Sequence, residues 1–381
     1  MNKRPFIILS VFLLLFSLIE KGQATETYRP ETSVAGFIQL PGSGRQVYNF
    51  NPGWRFFRGD VQGAEAVNFD DRSWNVVSTP HTVELMPAEG SGCRNYQGPA
   101  WYRKHFVLPA ETKGQRVVLH FEAAMGKQIL YLNGKRIQEH LGGYLPFTLD
   151  LTANGVQAGD SCLLAVFTDN SDDKSYPPGK RQYTLDFAYH GGIYRDVWMI
   201  AKSPVAITDA IDSQTVGGGG VFVHFDKISE KSAQVYVNTE VQNDDVRSES
   251  VTVETTLTDA DGKVIKRSSG KLSLKPGEKK SIRQQMEVKN PTLWSPDTPY
   301  LYRVQSRIKK GNKSIDGGIT RVGIRLAEFR GKDGFWLNGK PFGQLVGANR
   351  HQDFAYVGNA LPNSQQWRDA KRLRDAGCTI I

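Results

Sequence analysis

The sequence is poor in cysteine, with only three cysteines in 381 residues. This scarcity excludes a small scaffold held together by many disulfides. Cys93, Cys162 and Cys378 form no CxxC pair and show no spacing typical of a zinc site. Cys93 with Cys162 is the only disulfide worth considering, and unpaired thiols are the state that we expect.

A dense block of basic residues is also missing. The formal net charge is +9, from 48 Lys and Arg against 39 Asp and Glu. These basic residues are spread along the chain instead of forming an arm that would bind nucleic acid. We therefore expect a mildly basic, solvated surface and no nucleic-acid partner.

The first 24 residues differ from the rest. Lys3 and Arg4 precede an almost wholly apolar stretch over residues 6–19, and small residues follow at Gly22 and Ala24. This order predicts a signal peptide over residues 1–24 and a secreted or periplasmic protein. An uncleaved anchor is the alternative, although about 14 apolar residues are few for a membrane span. No later apolar run is long enough, so we expect no membrane association after cleavage.

Residues 45–202 are predicted to form a β-rich first domain, preceded by a flexible leader at residues 25–44. Short apolar runs alternate with turn residues, and no long helical period is found. Asn133-Gly134 separates two such runs, which predicts a hairpin because both turn positions favour positive φ. Many short strands over this length are typical of a sandwich or jelly roll.

Residues 203–326 are predicted to form a second β domain. Apolar and polar residues alternate at period two in residues 251–257 and 301–304, and Asp261-Gly262 and Pro276-Gly277 mark turns. About 120 residues with this strand spacing fit an immunoglobulin-like sandwich, although the cysteine pair of antibody domains is absent.

Residues 327–381 have a different pattern. Asn338-Gly339 predicts another hairpin, and residues 344–348 are interpreted as a short buried strand. A helix and the beginning of a further strand follow, so that this region predicts the start of an α/β unit.

The helix is the only convincing one in the chain. Asn363 and Gln366 have capping-box spacing, with Ser364 as the alternative cap. Gly377 is placed to end the helix in the left-handed conformation. One face is apolar at intervals of three residues: Trp367, Ala370 and Leu373.

Seven motifs occur in order along the chain: AWYRKHF at 100–106, LNGK at 132–135, GIYRDV at 192–197, LWSPDTPYLY at 293–302, VGIR at 322–325, FWLNGKP at 335–341 and GANRHQD at 347–353. Together they resemble the family 2 glycoside hydrolases, which include β-galactosidases, β-glucuronidases and β-mannosidases. The resemblance implies a jelly-roll sugar-binding domain, an immunoglobulin-like domain and a (β/α)8 TIM barrel. Since such a barrel takes roughly 250 residues, we expect only its first strand and helix in residues 327–381.

The resemblance also implies substrate-binding residues. Asp186, six residues before Gly192, stands where the family has an aspartate that accepts hydrogen bonds from sugar hydroxyls. A turn carboxylate is the alternative. His351 and Asp353 follow the expected first barrel strand, whose end faces the mouth where barrel sites form. Arg350 is expected to be structural.

Two features of the family pattern are missing or altered. The catalytic groups of the family are glutamates on later barrel strands, whereas Glu328 is the only glutamate after residue 327. We therefore expect no catalytic residue here and an inactive chain, and we assign no cofactor, although the resemblance implies Mg²⁺ or Na⁺ in a full-length parent. Gln97, with Asn95 nearby, stands where β-galactosidases carry an asparagine contact, which bears on galactose recognition.

The sequence thus predicts the N-terminal part of an exported retaining β-glycosidase, with a β-galactoside or oligosaccharide as substrate. A non-catalytic carbohydrate-binding protein is the alternative, and a structural protein built on the second domain is a third reading with no specific support. The binding reading requires exposed aromatic side chains that stack on sugars. Its candidates are Trp54, Trp74, Trp101 and Tyr96. The oligomeric state cannot be read from the sequence.

Overall fold

The computed structural model describes residues 31–32, 39–87 and 95–381. Over these ranges the chain is mainly β, as predicted, with one α-helix near the end. No helix in the described ranges is long and apolar enough to cross a membrane. The predicted signal peptide and Cys93 lie outside the described residues, and the thiols of Cys162 and Cys378 are free.

The first domain is a sandwich of antiparallel strands. One sheet has the order β1-β2-β11-β6-β9 and the other the order β4-β3-β5-β10-β7-β8. The strands are β1 (Glu31–Thr32), β2 (Gln46–Asn49), β3 (Trp54–Arg58), β4 (Asn75–Val77), β5 (Pro99–Val107), β6 (Arg116–Phe121), β7 (Lys127–Leu132), β8 (Lys135–Leu141), β9 (Phe147–Asp150), β10 (Ser161–Asp169) and β11 (Val197–Lys202).

The central strands β5 and β10 are buried on both faces. On their inner faces, β5 contributes Tyr102 and Phe106 and β10 contributes Leu164 and Val166 to the core between the sheets. On the outer face, Trp101 packs with Trp74. The buried Arg103 donates from Nε to Asp71 Oδ2 at 2.8 Å, so that its charge is paired where water is excluded.

The second domain is also an antiparallel sandwich, with the sheet order β16-β15-β18-β19 facing a sheet in which β14 pairs with β12, β13 and β17. Two apolar clusters fill the space between the sheets. The strands are β12 (Val205–Ile207), β13 (Val221–Asp226), β14 (Ser232–Asn243), β15 (Glu249–Thr258), β16 (Val264–Leu274), β17 (Lys279–Lys289), β18 (Tyr302–Lys310) and β19 (Lys313–Val322).

Residues 327–381, called the third segment below, contain a small sheet of order β20-β21-β22 and then the helix. Short 3-10 helices occur at Ala110–Thr112, Gln182–Thr184 and Gly331–Asp333. The regular elements of the third segment are β20 (Ala327–Phe329), β21 (Phe335–Leu337), β22 (Lys340–Pro341) and α1 (Asn363–Asp375).

Both Asn-Gly hairpins are confirmed. Asn133 and Gly134 have φ values of 51° and 82°, and Asn338 and Gly339 have values of 54° and 77°. The predicted end of α1 is confirmed as well. Gly377 has a φ of 93°, and the next residue, Cys378, donates its backbone N–H to the Leu373 carbonyl at 3.0 Å, as in a Schellman motif.

The predicted start of the helix is wrong. Pro362 occupies the N-cap position, and no side chain caps the helix. Asn363 is the first helical residue and its Nδ2 donates to Asp196 Oδ2 of the first domain at 3.2 Å. The capping-box spacing failed because Pro362, already extended, starts the helix one residue earlier than the pattern indicates.

Two further expectations are corrected. Residues 344–348 were predicted to form a buried strand, but they are mostly exposed. Their only β-bridge within the described residues joins Gly347 to Ile380 in parallel, so no sheet covers them. The predicted leader is structured where it is described. Leu40 and Ser43 are buried, and β1 pairs with β2. Local sequence did not indicate this order because it comes from contacts with distant residues.

The fully buried carboxylate of Asp316 connects the first two domains. It accepts hydrogen bonds from Arg45 Nε at 2.7 Å and from Arg45 Nη2 at 2.8 Å. It also accepts the backbone N–H of Ile207 at 2.7 Å. Arg45 directly precedes β2 and Ile207 ends β12, so this one group fixes the start of each domain relative to β19.

Asp316→Asn should destabilise the protein by about 3 kcal/mol, because it leaves the Arg45 guanidinium without its charge partner in a largely buried site. The midpoint of urea unfolding, read by tryptophan fluorescence, measures this loss. Asp297→Asn is the matched control. Its side chain is 89% exposed in an ion pair with Arg374, and such pairs contribute about 1 kcal/mol or less. Equal shifts for the two variants would contradict the role given to Asp316.

Candidate functional site

A cavity of about 410 Å³ lies between the first domain and the third segment. Tyr144, Phe187 and Ala188 form its wall on the side of the first domain. The opposite wall comes from the third segment and consists of Arg350, His351, Gln352, Asp353, Asn359 and Ile381.

The first wall is held by a hydrogen-bonded loop over residues 182–189. The buried Gln182 accepts the backbone N–H of Tyr189 at 2.7 Å, and its own backbone N–H donates to Asp172 Oδ1 at 2.9 Å. The Tyr189 hydroxyl donates to the same carboxylate. Although burial acts to raise it, these hydrogen bonds hold the pKa of Asp172 below its usual value. The loop therefore presents Phe187 and Ala188 in a fixed position.

The second wall is anchored by Arg350, which lines the cavity but is ion-paired. Its Nη2 lies 2.5 Å from Asp369 Oδ2 on α1, and Gln365 Nε2 donates to the other oxygen of Asp369 at 2.8 Å. The Arg350 charge is thus balanced by the helix, in agreement with the structural role expected for it.

Residues 194–196 of the first domain hold the third segment in place. Arg195 donates to Gln352 Oε1 at 2.8 Å and to the Leu361 carbonyl at 3.2 Å. Tyr194 packs with Ala360 in an apolar cluster. Asp196 accepts the amide of Asn363. Three consecutive side chains thus contact four residues of the segment that forms the second wall.

A buried contact with His190 holds residues 358–359, of which Asn359 lines the cavity. His190 Nδ1 and Asn359 Oδ1 are 3.4 Å apart, and burial lowers the pKa of His190, so the ring stays neutral at neutral pH. Gly358 has a φ of 52°, and a Cβ atom added there would lie 2.5 Å from the His190 ring. Only glycine fits this position without a shift of the loop or the ring.

The structure brings two of the three predicted site residues into the cavity. His351 is exposed, with its ring edge-on to Phe187 at a centroid distance of 6.1 Å. Asp353 is half-buried in the same wall. Asp186 is exposed beside Phe187 and is not among the residues that line the cavity. Their roles in substrate binding stay predictions.

Gln97 and Asn95 lie behind the first wall. Gln97 Nε2 donates to Asp172 Oδ1 at 2.9 Å. Asn95 Nδ2 donates to the Tyr189 carbonyl at 3.4 Å, and its Oδ1 accepts from Gln182. Both amides are therefore engaged in supporting the loop that carries Phe187. Sequence reasoning missed this support, and it also missed the wall residues Tyr144 and Phe187.

The aromatic side chains required by the binding-protein alternative are not presented to solvent as a platform. Trp54, Trp74 and Trp101 are buried, and Tyr96 is half-buried with its hydroxyl donating to the Pro99 carbonyl at 2.8 Å. In the ranges that the structure covers, no group of three or more His, Cys, Asp or Glu side chains could hold a metal ion.

Two family models match the chain. The sugar-binding domain of glycosyl hydrolases family 2 matches residues 57–204, and a second model, described as glycosyl hydrolases family 2, matches residues 219–325. The chain belongs to glycoside hydrolase family 2. The resemblance inferred from the motifs is therefore confirmed.

Family 2 relatives match most of this chain. A β-glucuronidase of Formosa agariphila is 32% identical over 90% of this chain and 36% of its own length. A β-galactosidase of Thermoanaerobacter pseudethanolicus is 34% identical over 87% of this chain and 42% of its own. A Bacteroides uniformis β-glucuronidase of known structure, covalently bound to cyclophellitol-6-carboxylate aziridine, has a TM-score of 0.78 at 31% identity, over 88% of this chain and 39% of that one. The chain thus spans about two-fifths of the length of these relatives.

Gly358→Ala should destabilise the docking of the third segment, because it adds a clash with His190 to the strain of positive φ. We expect about 1 kcal/mol from strain and a further 1 to 3 kcal/mol from the clash. Thermal unfolding and the rate of tryptic cleavage after Arg368 measure the effect. Gly343→Ala is the control, since Gly343 has a φ of 86° with nothing within 4 Å of an added Cβ. If both variants lose the same stability, the contact with His190 does not constrain the loop.

Proposed function

We propose that this chain is the substrate-binding N-terminal part of an exported retaining β-glycosidase that releases terminal β-linked galactose. The observation that carries the proposal is the cavity in which His351 and Asp353 face Phe187, the neighbour of Asp186. This chain contributes groups that recognise the sugar. In the family, the two catalytic glutamates lie on later strands of the barrel.

The chemistry of the wall suits a polyhydroxylated ligand. An ionised carboxylate accepts hydrogen bonds from two neighbouring hydroxyls, and an imidazole both donates and accepts. Asp186 makes no side-chain hydrogen bond with another described residue, so its oxygens are available to a ligand. Such groups position the terminal sugar for attack, and holding the reacting centre in place is a large part of catalysis.

The retaining mechanism is inferred from the family. Retaining glycosidases use two carboxyl groups about 5 to 5.5 Å apart and form a covalent glycosyl-enzyme intermediate. The Bacteroides uniformis relative is covalently bound to a cyclophellitol aziridine, which supports a nucleophile of that kind in the related enzyme.

Charge favours a neutral sugar over a uronic acid. The relatives are named as β-galactosidases and β-glucuronidases. Within the part of the cavity wall that the structure describes, the only arginine or lysine is Arg350, and Asp369 already balances it. Asp353 lines the same wall and Asp186 lies beside it, and both carboxylates would repel the carboxylate of a glucuronide. Galactose carries no charge and avoids this repulsion.

The complete enzyme that carries this chain should hydrolyse p-nitrophenyl β-D-galactoside at least about 10-fold more efficiently than the matching glucuronide, because repulsion of about 1.4 kcal/mol corresponds to that factor in kcat/KM. Release of p-nitrophenol from purified protein measures both rates. A preference for the glucuronide would reject galactose as the sugar, and hydrolysis of neither substrate would reject the proposed function.

The proposed export is tested on the purified protein. The protein recovered from the periplasm or the culture medium should begin after about residue 24, where a signal peptidase would cut. The mass of its N-terminal peptide measures this, and a full-length N-terminus in the cell interior would count against export.

Asp186→Asn should lower kcat/KM on the preferred substrate by about 10- to 100-fold, as expected for the loss of charge-assisted hydrogen bonds to hydroxyls. Steady-state kinetics with the p-nitrophenyl substrate give the value. Asp173→Asn is the control, because Asp173 is an exposed aspartate of the first domain that, among the described residues, accepts hydrogen bonds only from Ser175. Wild-type kinetics for Asp186→Asn would remove this residue from the site.

A further inference from the structure

The loop over residues 142–146, between β8 and β9, is fixed to the body of the first domain. Gly142 donates its backbone N–H to the Gly126 carbonyl at 2.9 Å. The buried Tyr194 donates its hydroxyl to the Gly143 carbonyl. The backbone of two successive loop residues is therefore hydrogen-bonded to residues outside the loop.

Packing adds to this attachment. Gly143 rests on the buried side chain of Met125, so closely that a Cβ atom added to it would lie 2.4 Å from the Met125 sulfur. The loop backbone thus lies directly against the domain. The backbone from which the next side chain, Tyr144, extends is therefore held in place.

Tyr144 extends into the cavity that also contains His351 and Asp353. Its side chain is 41% exposed, and its hydroxyl has no hydrogen-bond partner in the described part of the chain. Burial of the rest of the ring raises its pKa, so the hydroxyl is protonated at neutral pH and can donate. Phe187, by contrast, is half-buried and already in contact with the ring of His351.

We propose that Tyr144 is a substrate-contacting residue of this cavity, whose ring packs on the apolar face of a ring in the substrate and whose hydroxyl donates to one of its oxygens. The proposal rests on the proposed glycosidase function and adds a specificity-determining residue to it. The ring is either the terminal sugar or the first ring of the leaving group, since both present C–H groups on one face.

Physical reasons favour this role for a tyrosine held in this way. Tyrosine has two side-chain torsions and loses little entropy when it orders against a ligand. It offers an apolar body with a polar tip. The carboxylates and the imidazole of the wall can bind hydroxyls, but they cannot cover an apolar ring face, which Tyr144 can do.

Tyr144→Ala should raise KM by about 3- to 10-fold with a smaller change in kcat, because stacking binds substrate and transition state alike. Tyr144→Phe keeps the ring and should retain most of the affinity. Leu145→Ala is the control, as Leu145 is in the same loop and 65% exposed but does not line the cavity. Thermal unfolding of each variant should match that of the wild type, which separates lost binding from lost folding.

Galactose, β-galactosyl fluoride and lactose, each tested on the complete enzyme, show which ring of the substrate Tyr144 contacts. If the terminal sugar is contacted, Tyr144→Ala weakens inhibition by galactose and raises KM for β-galactosyl fluoride and lactose alike. If the leaving group is contacted, KM rises for lactose, while inhibition by galactose and kinetics with the fluoride stay as in the wild type. Either result supports the proposal.

Unchanged KM values and unchanged inhibition by galactose in Tyr144→Ala would overturn the inference. This failure differs from failure of the proposed function. If only the inference about Tyr144 fails, the wild type still hydrolyses β-galactosides and Asp186→Asn is still impaired. If the proposed function fails, the wild type hydrolyses no β-galactoside.

Discussion

The candidate site depends on the attachment of the third segment to residues 194–196 of the first domain. These residues contact the segment through an apolar cluster, an arginine fork and a carboxylate–amide bond. None of these contacts involves a sugar-binding group directly. They fix the distance between two walls that come from different parts of the chain, and without that distance the cavity has no defined shape.

The carboxylate in this attachment is sensitive to pH. Burial, and then the nearby Glu122, raises the pKa of Asp196 to about 6, against hydrogen bonding from Asn51. The folded state thus favours the protonated form of Asp196 more than the unfolded state does. A group whose pKa is raised on folding contributes stability that is complete below its unfolded pKa near 3.8 and is lost as the pH rises through about 6. Hence the contribution of Asp196 to the stability of the fold is largest in acid and is lost at neutral pH.

Features with a local cause could be predicted from the sequence, and features with a distant cause could not. Asn133-Gly134 and Gly377 were predicted correctly because positive φ is a property of those residues themselves. The order of Leu40 and Ser43 was missed because it comes from packing against the second domain. Asp186 and His351 were predicted as site residues from their positions relative to the family motifs, and their roles stay predictions. Tyr144 lies in a loop without a motif, and its position is set by Met125 and Tyr194, which no local pattern connects to it.

The tryptophans of the first domain are buried in the fold and do not form a sugar-binding surface on its sheets. Trp54 fills the core between the sheets, and Trp74 and Trp101 cover the outer face of the six-stranded sheet. The sheet faces are therefore used for folding, and contact with sugar falls to the loops that reach the third segment. On the proposed function, recognition of the sugar by the first domain therefore comes from the loops that carry Phe187 and Tyr144 into the cavity, and not from a sheet face.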